Sequence, residues 1–231
     1  MRFIKYIISF LLIALLSTKI SATGTGPYFG LQVGGTNLNN NPYYVNTGIP
    51  SSPPTACNLK HPATCITTPA KVKPNNTGIG ERLYFGIQMN RYAGVEIGAT
   101  NYAPSVYDPK IPESNKPAIR AYALDISVKG IYSLYNFSVF GKIGGAGVRQ
   151  TATGALTKVS LDGVRLHQVP ESQNSGHVMA AAGVSFDISA NWVLDLSVSR
   201  IFKGSNFKEA DFYGLGIAYH WVDLYCGQFL C

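Results

Sequence analysis

The sequence predicts an all-β protein: an eight-stranded antiparallel up-and-down transmembrane β-barrel with long outer loops and short periplasmic turns. In eight segments of about ten residues, large apolar side chains alternate with small or polar ones, which is typical of tilted strands that cross a bilayer. The connections between these segments are alternately long and short, as in outer-membrane barrels. Charged residues make up only 13% of the chain, about half of the usual ~25%.

The alternation is clearest in the last segment, residues 212–221. One face carries the large side chains of Tyr213, Leu215, Ile217, Tyr219 and Trp221. The residues between them are small or polar. Aromatic residues at both ends with aliphatic residues between them predict a face that contacts lipid, and the small face suits a narrow barrel interior.

The other seven predicted strands follow the same rule, at 27–36, 81–89, 93–103, 119–129, 136–149, 177–187 and 192–201. Long loops are predicted at 37–79, 104–118 and 150–175, a shorter one at 203–210, and tight turns at 90–92, 130–135 and 189–191. An even number of strands places both termini in the periplasm. Closure of the barrel leaves no backbone edge unpaired in lipid.

Residues 1–22 have the pattern of a cleaved secretory signal peptide. Arg2 and Lys5 precede an apolar run at 7–16, and Ala22 ends a plausible cleavage site. The alternative is an uncleaved anchor, for which the run is short. The predicted barrel domain is 23–221, and residues 222–231 form a periplasmic tail. We therefore expect export across the inner membrane to the outer membrane of a Gram-negative bacterium.

The charge of the chain argues against nucleic acid as a partner. Three cations and no acids fall in residues 1–22, which lowers the formal charge of +7 to +4 for the rest of the chain. No run of Lys or Arg forms a basic patch.

The four cysteines form two close pairs, Cys57 with Cys65 and Cys226 with Cys231. Export permits disulfides, and the first pair lies in a segment rich in Pro and Asn that looks exposed. The alternative for this pair is zinc, with His61 between the cysteines, but two Cys and one His are an incomplete ligand set. No metal or cofactor is predicted.

Six charged residues fall on the inward faces of the predicted strands: Arg82, Glu96, Asp125, Lys142, Asp187 and Asp195. The interior of an eight-stranded barrel is just wide enough to be filled by side chains, so these charges must pair. Either they form a static plug of salt bridges, or they form a gate that rearranges to pass small ions.

Several segments resemble the OmpA-like membrane β-barrel family. They are 84–99, which is similar to the second hairpin of the family, 141–149, 182–189 and 214–219. The resemblance covers the mature chain and implies an outer-membrane barrel. Glu96 and Lys142 stand at positions similar to the interior acid and base of the family, whereas Ser185 and Asp195 depart from it.

The resemblance implies less at the end of the chain. Only ten residues follow Trp221, so the peptidoglycan-binding domain of full-length members, and tethering to the cell wall, are not carried over. The last strand is similar to the signal that the barrel assembly machinery recognises. In the usual form of that signal an aromatic residue ends the chain, whereas here the signal is internal.

Catalysis is weakly supported by the residues. Some small outer-membrane barrels modify lipid A, which requires a serine activated by a histidine and an acid. Ser175 and His177 are two residues apart and would lie on the same side of a strand, but no acid is placed to complete a triad.

The sequence therefore favours a structural and surface-interaction role, adhesin-like, through the outer loops. Loop 37–79, with Tyr43, Tyr44 and its prolines, is the main candidate for contact with an extracellular ligand or a host surface. Outer-membrane lipid and lipopolysaccharide would surround the barrel. The alternatives are a narrow ion or small-solute channel and a lipid A-modifying enzyme. A soluble lipocalin-like barrel is the alternative fold, but it would need an apolar interior.

Overall fold

The computed structural model describes residues 25–40, 43–45, 70–107, 117–153, 156–159, 166–168, 171–204 and 208–221, and within them it confirms the all-β barrel. The strands are β1 (Gly26–Leu38), β2 (Tyr43–Val45), β3 (Ala70–Val72), β4 (Pro74–Asn75), β5 (Thr77–Gln88), β6 (Ala93–Tyr107), β7 (Ala118–Leu134), β8 (Phe137–Thr153), β9 (Leu156–Val159), β10 (Leu166–Gln168), β11 (Ser172–Asp187), β12 (Trp192–Ile201) and β13 (Ala210–His220). Among the described residues, no helix is long and apolar enough to span a bilayer.

The barrel wall consists, in the described part of the chain, of the eight long strands β1, β5, β6, β7, β8, β11, β12 and β13. Each pairs antiparallel with its neighbours, and β13 returns to pair with β1. The closing register runs from Tyr28 opposite His220 to Leu38 opposite Ala210. Because the barrel is closed, every wall strand has a hydrogen-bonding neighbour on both sides. Backbone groups in lipid require such partners, since no water is available to them.

The outer face of the wall is a belt of exposed apolar side chains, such as Leu124 and Ile126 at 69% and 64% exposure. Aromatic residues border the belt, with Tyr122 and Tyr213 towards the outer loops and Trp192 towards the periplasmic turns. An apolar band between two aromatic girdles is the surface of a barrel that faces lipid.

Glycines on the inner face make room for the large residues that fill the barrel. A Cβ added at Gly30 would lie 2.1 Å from the Tyr84 ring, and one at Gly86 would lie 2.3 Å from the Tyr28 ring. The small face of these strands therefore exists because the neighbouring strands send aromatic side chains across it.

The prediction that 37–79 is a continuous irregular loop was wrong. This range contains β2, β3 and β4, and β5 begins at Thr77. Likewise, 150–175 contains β9, β10 and the start of β11. Strands β10, β9, β2 and β3 form a second, four-stranded sheet in that order. Strands of two to four residues are too short to show a period of two, so the sequence pattern missed them.

The turn predicted at 130–135 was also wrong. Strand β7 continues to Leu134, and the turn is Tyr135–Asn136, with Tyr135 at a φ of 56°. Gly130 lies directly opposite Gly141 in the β7–β8 ladder. A glycine on the lipid face interrupts the row of large residues, and the interruption looked like the end of a strand.

Several sequence-based predictions lie outside the described residues. These are the signal peptide at 1–22, the four cysteines Cys57, Cys65, Cys226 and Cys231, the possible zinc ligand His61, and the tail at 222–231.

Candidate functional site

The six inward charges are all buried in the barrel. Their exposed fractions run from 1% at Glu96 to 7% at Lys142. They come from β5, β6, β7, β8, β11 and β12, and the alternation of each strand points them inward.

Glu96 lies at the centre of the larger cluster. Lys142 Nζ donates to both of its carboxylate oxygens, at 2.6 and 2.8 Å. Arg82 Nη2 donates to Oε1 at 3.2 Å, and the Tyr28 hydroxyl donates to Oε2 at 3.0 Å. Four hydrogen bonds, two of them from a lysine, compensate the burial of this carboxylate.

Arg82 connects this centre to Asp125. Its Nη1 and Nη2 donate to the two Asp125 oxygens at 2.6 and 2.9 Å, a bidentate pair, and Nη1 also donates to Thr100 Oγ1 at 2.8 Å. Because Arg82 is on β5 and Asp125 is on β7, the pair spans the width of β6. Such a fork fixes geometry as well as charge.

The two remaining acids have other hydrogen-bond partners. Asp195 accepts hydrogen bonds from the Tyr84 hydroxyl and from Gln32 Nε2, which also donates to Ser197 Oγ at 2.9 Å. Asp187 is buried at the periplasmic end of β11, where its backbone N–H donates to the carbonyl of Asn136 at 2.9 Å. The structure thus brings four of the six predicted residues into direct ion pairs with one another.

Lys129 is a seventh inward charge, which the sequence interpretation missed. It lies directly opposite Lys142 in the β7–β8 ladder, and its Nζ lies 4.6 Å from the Phe140 ring centroid and 4.9 Å from that of Tyr28. It is the second inward position after Asp125 and the last residue of the strand predicted at 119–129, so the alternation counted to the end of that strand includes it. The period of two also predicts inward positions for Tyr28, Tyr84 and Gln32, but no sequence signal showed that they would bind the acids.

A small polar cavity lies beside Lys129. It has a volume of about 20 Å³, and its lining includes Lys129, Lys142, Asp195 and His220. Its volume suffices for about one water molecule.

An apolar layer fills the barrel on the outer side of the charges. Its largest members are Leu38, Tyr102, Met179, Ile201 and Phe212, each at most 3% exposed, and alanines and a valine from β7, β8 and β13 complete it. Within the described residues, seven of the eight wall strands contribute to this cluster. The charged interior is therefore separated from the outer mouth by closely packed apolar side chains.

Hydrogen bonds link wall strands at the outer end of the barrel, above this layer. The Asn40 amide donates to Ser105 Oγ at 2.9 Å and accepts from Gln150 Nε2 at 3.2 Å, so one side chain joins β6 to β8. On the rim, Arg200 pairs with Asp211 through bonds of 2.6 and 2.8 Å.

Ser175 and His177 meet as the sequence suggested, with Ser175 Oγ 2.6 Å from His177 Nε2. Gly176 and Val178 are exposed on the lipid side of β11. Because successive residues of a strand alternate between its faces, Ser175 and His177 are on the inner side. The serine is opposite Val148, a buried interior residue.

The closing strand carries its large residues outward. Tyr213, Leu215, Ile217 and Trp221 are 41–56% exposed. Tyr219 packs edge-to-face on Trp192 and on Trp221, with ring centroids at 5.0 and 5.4 Å. The backbone N–H of Trp221 donates to the carbonyl of Pro27 at 3.0 Å. This hydrogen bond extends the pairing of β13 with β1 at the periplasmic end.

Comparison with known proteins agrees with this architecture. A family model, the OmpA-like transmembrane domain, matches residues 27–222. Neisserial surface protein A is 13% identical with a TM-score of 0.51, over 85% of this chain and 98% of that protein. At this identity the match shows a shared fold and nothing more.

Two further solved structures are more distant in shape. The attachment invasion locus protein Ail of Yersinia pestis, in complex with the heparin analogue sucrose octasulfate, is 12% identical with a TM-score of 0.46, over 85% of this chain and 99% of that one. The outer membrane protein OprG of Pseudomonas aeruginosa is 12% identical with a TM-score of 0.45, over 86% and 99%. No curated protein sequence matches the chain.

Proposed function

We propose a function from the premise that the chain belongs to the OmpA-like transmembrane domain family, which implies a place in the outer membrane. The protein acts through its outer surface as an adhesin-like, non-catalytic barrel that contacts an extracellular ligand or a host surface. A cleaved signal peptide exports it, and the barrel assembly machinery inserts it by way of the closing strand.

The observation that carries this proposal is the pairing of β2 with β9. Tyr44 is opposite Thr157 and Val45 is opposite Leu156. This ladder joins the connection between β1 and β5 to the connection between β8 and β11. The strands that the two connections contribute to this sheet form one surface, and a preordered surface loses less conformational entropy when it binds.

The wall strands support this surface from below. On the outer side of the apolar layer, Tyr107 and Ile119 are 0% and 3% exposed and pack with Val72 and Ala152. This second hydrophobic cluster lies at the outer ends of β6, β7 and β8, so the wall continues as a packed structure towards the loops.

The charge of the outer segments favours an anionic partner. Residues 37–81, 102–121, 149–176 and 200–211 contain 12 Lys and Arg but only 7 Asp and Glu. A local surplus of cations attracts acidic or sulfated polysaccharides and increases the rate of encounter with them.

Two alternatives receive less support from the interior. A narrow channel would have to pass the apolar layer around Phe212 and the hydrogen-bonded side chain of Asn40. A lipid-modifying enzyme would need its serine at the lipid, whereas Ser175 lies on the inner side of the wall.

Replacement of loop residues by short turns tests the proposal. Val45 is opposite Ala70, so an Asn-Gly turn can replace 46–69 and keep the β2–β3 pair. Val159 is opposite Leu166, so the same turn can replace 160–165 as a matched control for loop shortening.

The variants would be produced in a non-adherent bacterial host, and attachment to cultured epithelial cells and to heparin-coated surfaces would be counted. Replacement of 46–69 should reduce attachment to the level of the host without the protein, and replacement of 160–165 should reduce it less. Attachment of the wild type no better than that of the empty host would refute the proposal.

A further inference from the structure

The lipid face of β5–β8 contains an apolar groove. Its volume is about 660 Å³, and its lining includes Leu83, Ile97, Ala99, Leu124, Gly145 and Gly147. A second groove of about 310 Å³ shares Leu83, Ala99 and Leu124 with it and continues to Tyr122. Together they form one apolar channel on the outside of the wall, which we call the wall groove.

Two glycines, Gly145 and Gly147, line the wall groove at positions where the fold leaves room for a side chain. A Cβ at Gly145 or at Gly147 would meet only one backbone carbonyl, at 3.9 Å. At the inward Gly144, by contrast, a Cβ would lie 2.0 Å from a backbone oxygen. Glycine is unfavourable inside a strand and often marks the close approach of a ligand.

The outer part of the groove, from Gly145 to Tyr122, lies within one leaflet of the membrane. From Gly145 to Arg149 is four residues along β8, roughly 14 Å at the rise of a strand. The hydrocarbon of one leaflet is about 15 Å thick. Because Tyr122 and Arg149 are opposite each other at the outer end of the groove, that leaflet is the outer one.

Two arginines mark the outer end of the groove. Arg149 is two residues beyond Gly147 on the same face, and Arg120 is opposite Thr151, which makes the two arginines diagonal neighbours. Both side chains are exposed. Within the described part of the chain, the ion pairs involve Arg82, Lys142 and Arg200 but neither of these two guanidinium groups. Such a pair is suited to bracket a phosphate, which arginine binds through two parallel hydrogen bonds.

We propose that the wall groove binds an acyl chain of a phosphorylated glycolipid of the outer leaflet, the class to which lipid A belongs, with Arg120 and Arg149 on its phosphate. Both ends of the ligand are matched: the apolar groove takes the chain and the cations take the headgroup. This site does not involve the loop residues 46–69, so its test is independent of the test of adhesion.

The experiment is native mass spectrometry of the folded full-length protein released from detergent, with lipid A, dephosphorylated lipid A or phosphatidylglycerol as the added lipid. The wild type should retain lipid A in preference to the other two. The double variant R120Q/R149Q should lower the apparent affinity for lipid A about tenfold or more, because hydrogen bonds to charged groups are the stronger ones. Its binding of dephosphorylated lipid A should not change.

The groove has its own variant and matched controls. Gly147→Leu fills the groove and should weaken binding of both forms of lipid A. Gly141→Leu is the control, because a Cβ there also meets only a backbone carbonyl, at 4.0 Å, and Gly141 does not line the groove. Lys203→Gln controls for loss of an exposed cation elsewhere on the outer side. Heat-modifiable migration would verify that each variant is folded.

Three results would overturn the proposal. The first is unchanged lipid A binding in R120Q/R149Q, and the second is an equal loss in K203Q. The third is retention of phosphatidylglycerol as strong as that of lipid A, which would indicate an unspecific shell of anionic lipid.

Discussion

The guanidinium of Arg82 lies directly against the backbone of Gly98: a Cβ at that glycine would be 2.2 Å from Arg82 Nη2. Arg82 is on β5 and reaches Asp125 on β7 by crossing the intervening strand β6, to which Gly98 belongs. The buried ion pair therefore depends on the absence of a side chain at one position between its partners.

Substitution of Gly98 by Val should break this arrangement. The side chain would displace Arg82 and leave Asp125 buried without its cation, which costs about 3–5 kcal/mol of unfolding free energy. Urea unfolding in phospholipid vesicles, followed by tryptophan fluorescence, measures the change. Gly130→Val is the control, because its Cβ would have its nearest contact at 4.0 Å. Equal effects of the two substitutions would contradict the account.

Neutralisation of Glu96 should destabilise the barrel far more than neutralisation of Glu81. Glu96→Gln leaves Lys142 without its carboxylate partner, at a cost of about 3 kcal/mol or more. Glu81 is exposed and accepts one bond, from Asn101 at 3.1 Å, so Glu81→Gln should change the unfolding free energy by only about 0.5 kcal/mol. The same unfolding assay compares them, and similar losses would show that the Glu96 cluster does not stabilise the fold.

The two opposed lysines should differ in the same way. Lys142→Met removes two hydrogen bonds to Glu96 and should cost about 3 kcal/mol. Lys129→Met removes two cation–π contacts and the attraction to the nearby carboxylates of Glu96, Asp195 and Asp187, but it also removes the repulsion of a like charge directly opposite, so its net effect should be smaller than that of Lys142→Met. A larger loss from Lys129→Met than from Lys142→Met would show that Lys129, and not Lys142, has the structural role.

The end of the closing strand should be sufficient for assembly. A chain that stops after Trp221 keeps the outward aromatic residues and the Trp221–Pro27 hydrogen bond, and it should reach the outer membrane in folded form. A chain that stops after Ala218 loses Tyr219 and Trp221 and should not. Heat-modifiable migration of isolated outer membranes separates the outcomes. If the chain that stops after Trp221 failed to assemble, residues 222–231 would be part of the assembly signal.

The wall of this barrel could be predicted from the sequence because a period of two encodes which side of the wall each residue faces. The lipid-facing set Tyr213, Leu215 and Ile217, and the inward positions of Arg82 and Glu96, follow from that period alone. The alternation failed where a side chain was missing, at Gly130, and where strands were too short to repeat, as in β2 and β9.

The contacts between interior side chains could not be predicted in the same way. The period of two places Glu96 and Lys142 inside, but it does not give the heights at which their strands are paired. Register across β6, β7 and β8 decides that these two meet, whereas Asp195 meets Tyr84 and Gln32 instead. The apolar layer was missed for a related reason: Leu38, Met179 and Phe212 are far apart in the sequence, and each looks like an ordinary strand residue.

Single-channel recording in planar lipid bilayers tests most directly the central claim, that the interior is sealed and the function lies on the outer surface. The double variant M179A/F212A should open a path through the apolar layer and show conductance steps. The control V178A/Y213A changes the exposed neighbours of these residues on the lipid side and should show none. Folded wild-type protein and Glu96→Ala should show no steps, and steady conductance steps from the wild type would show that the interior is open.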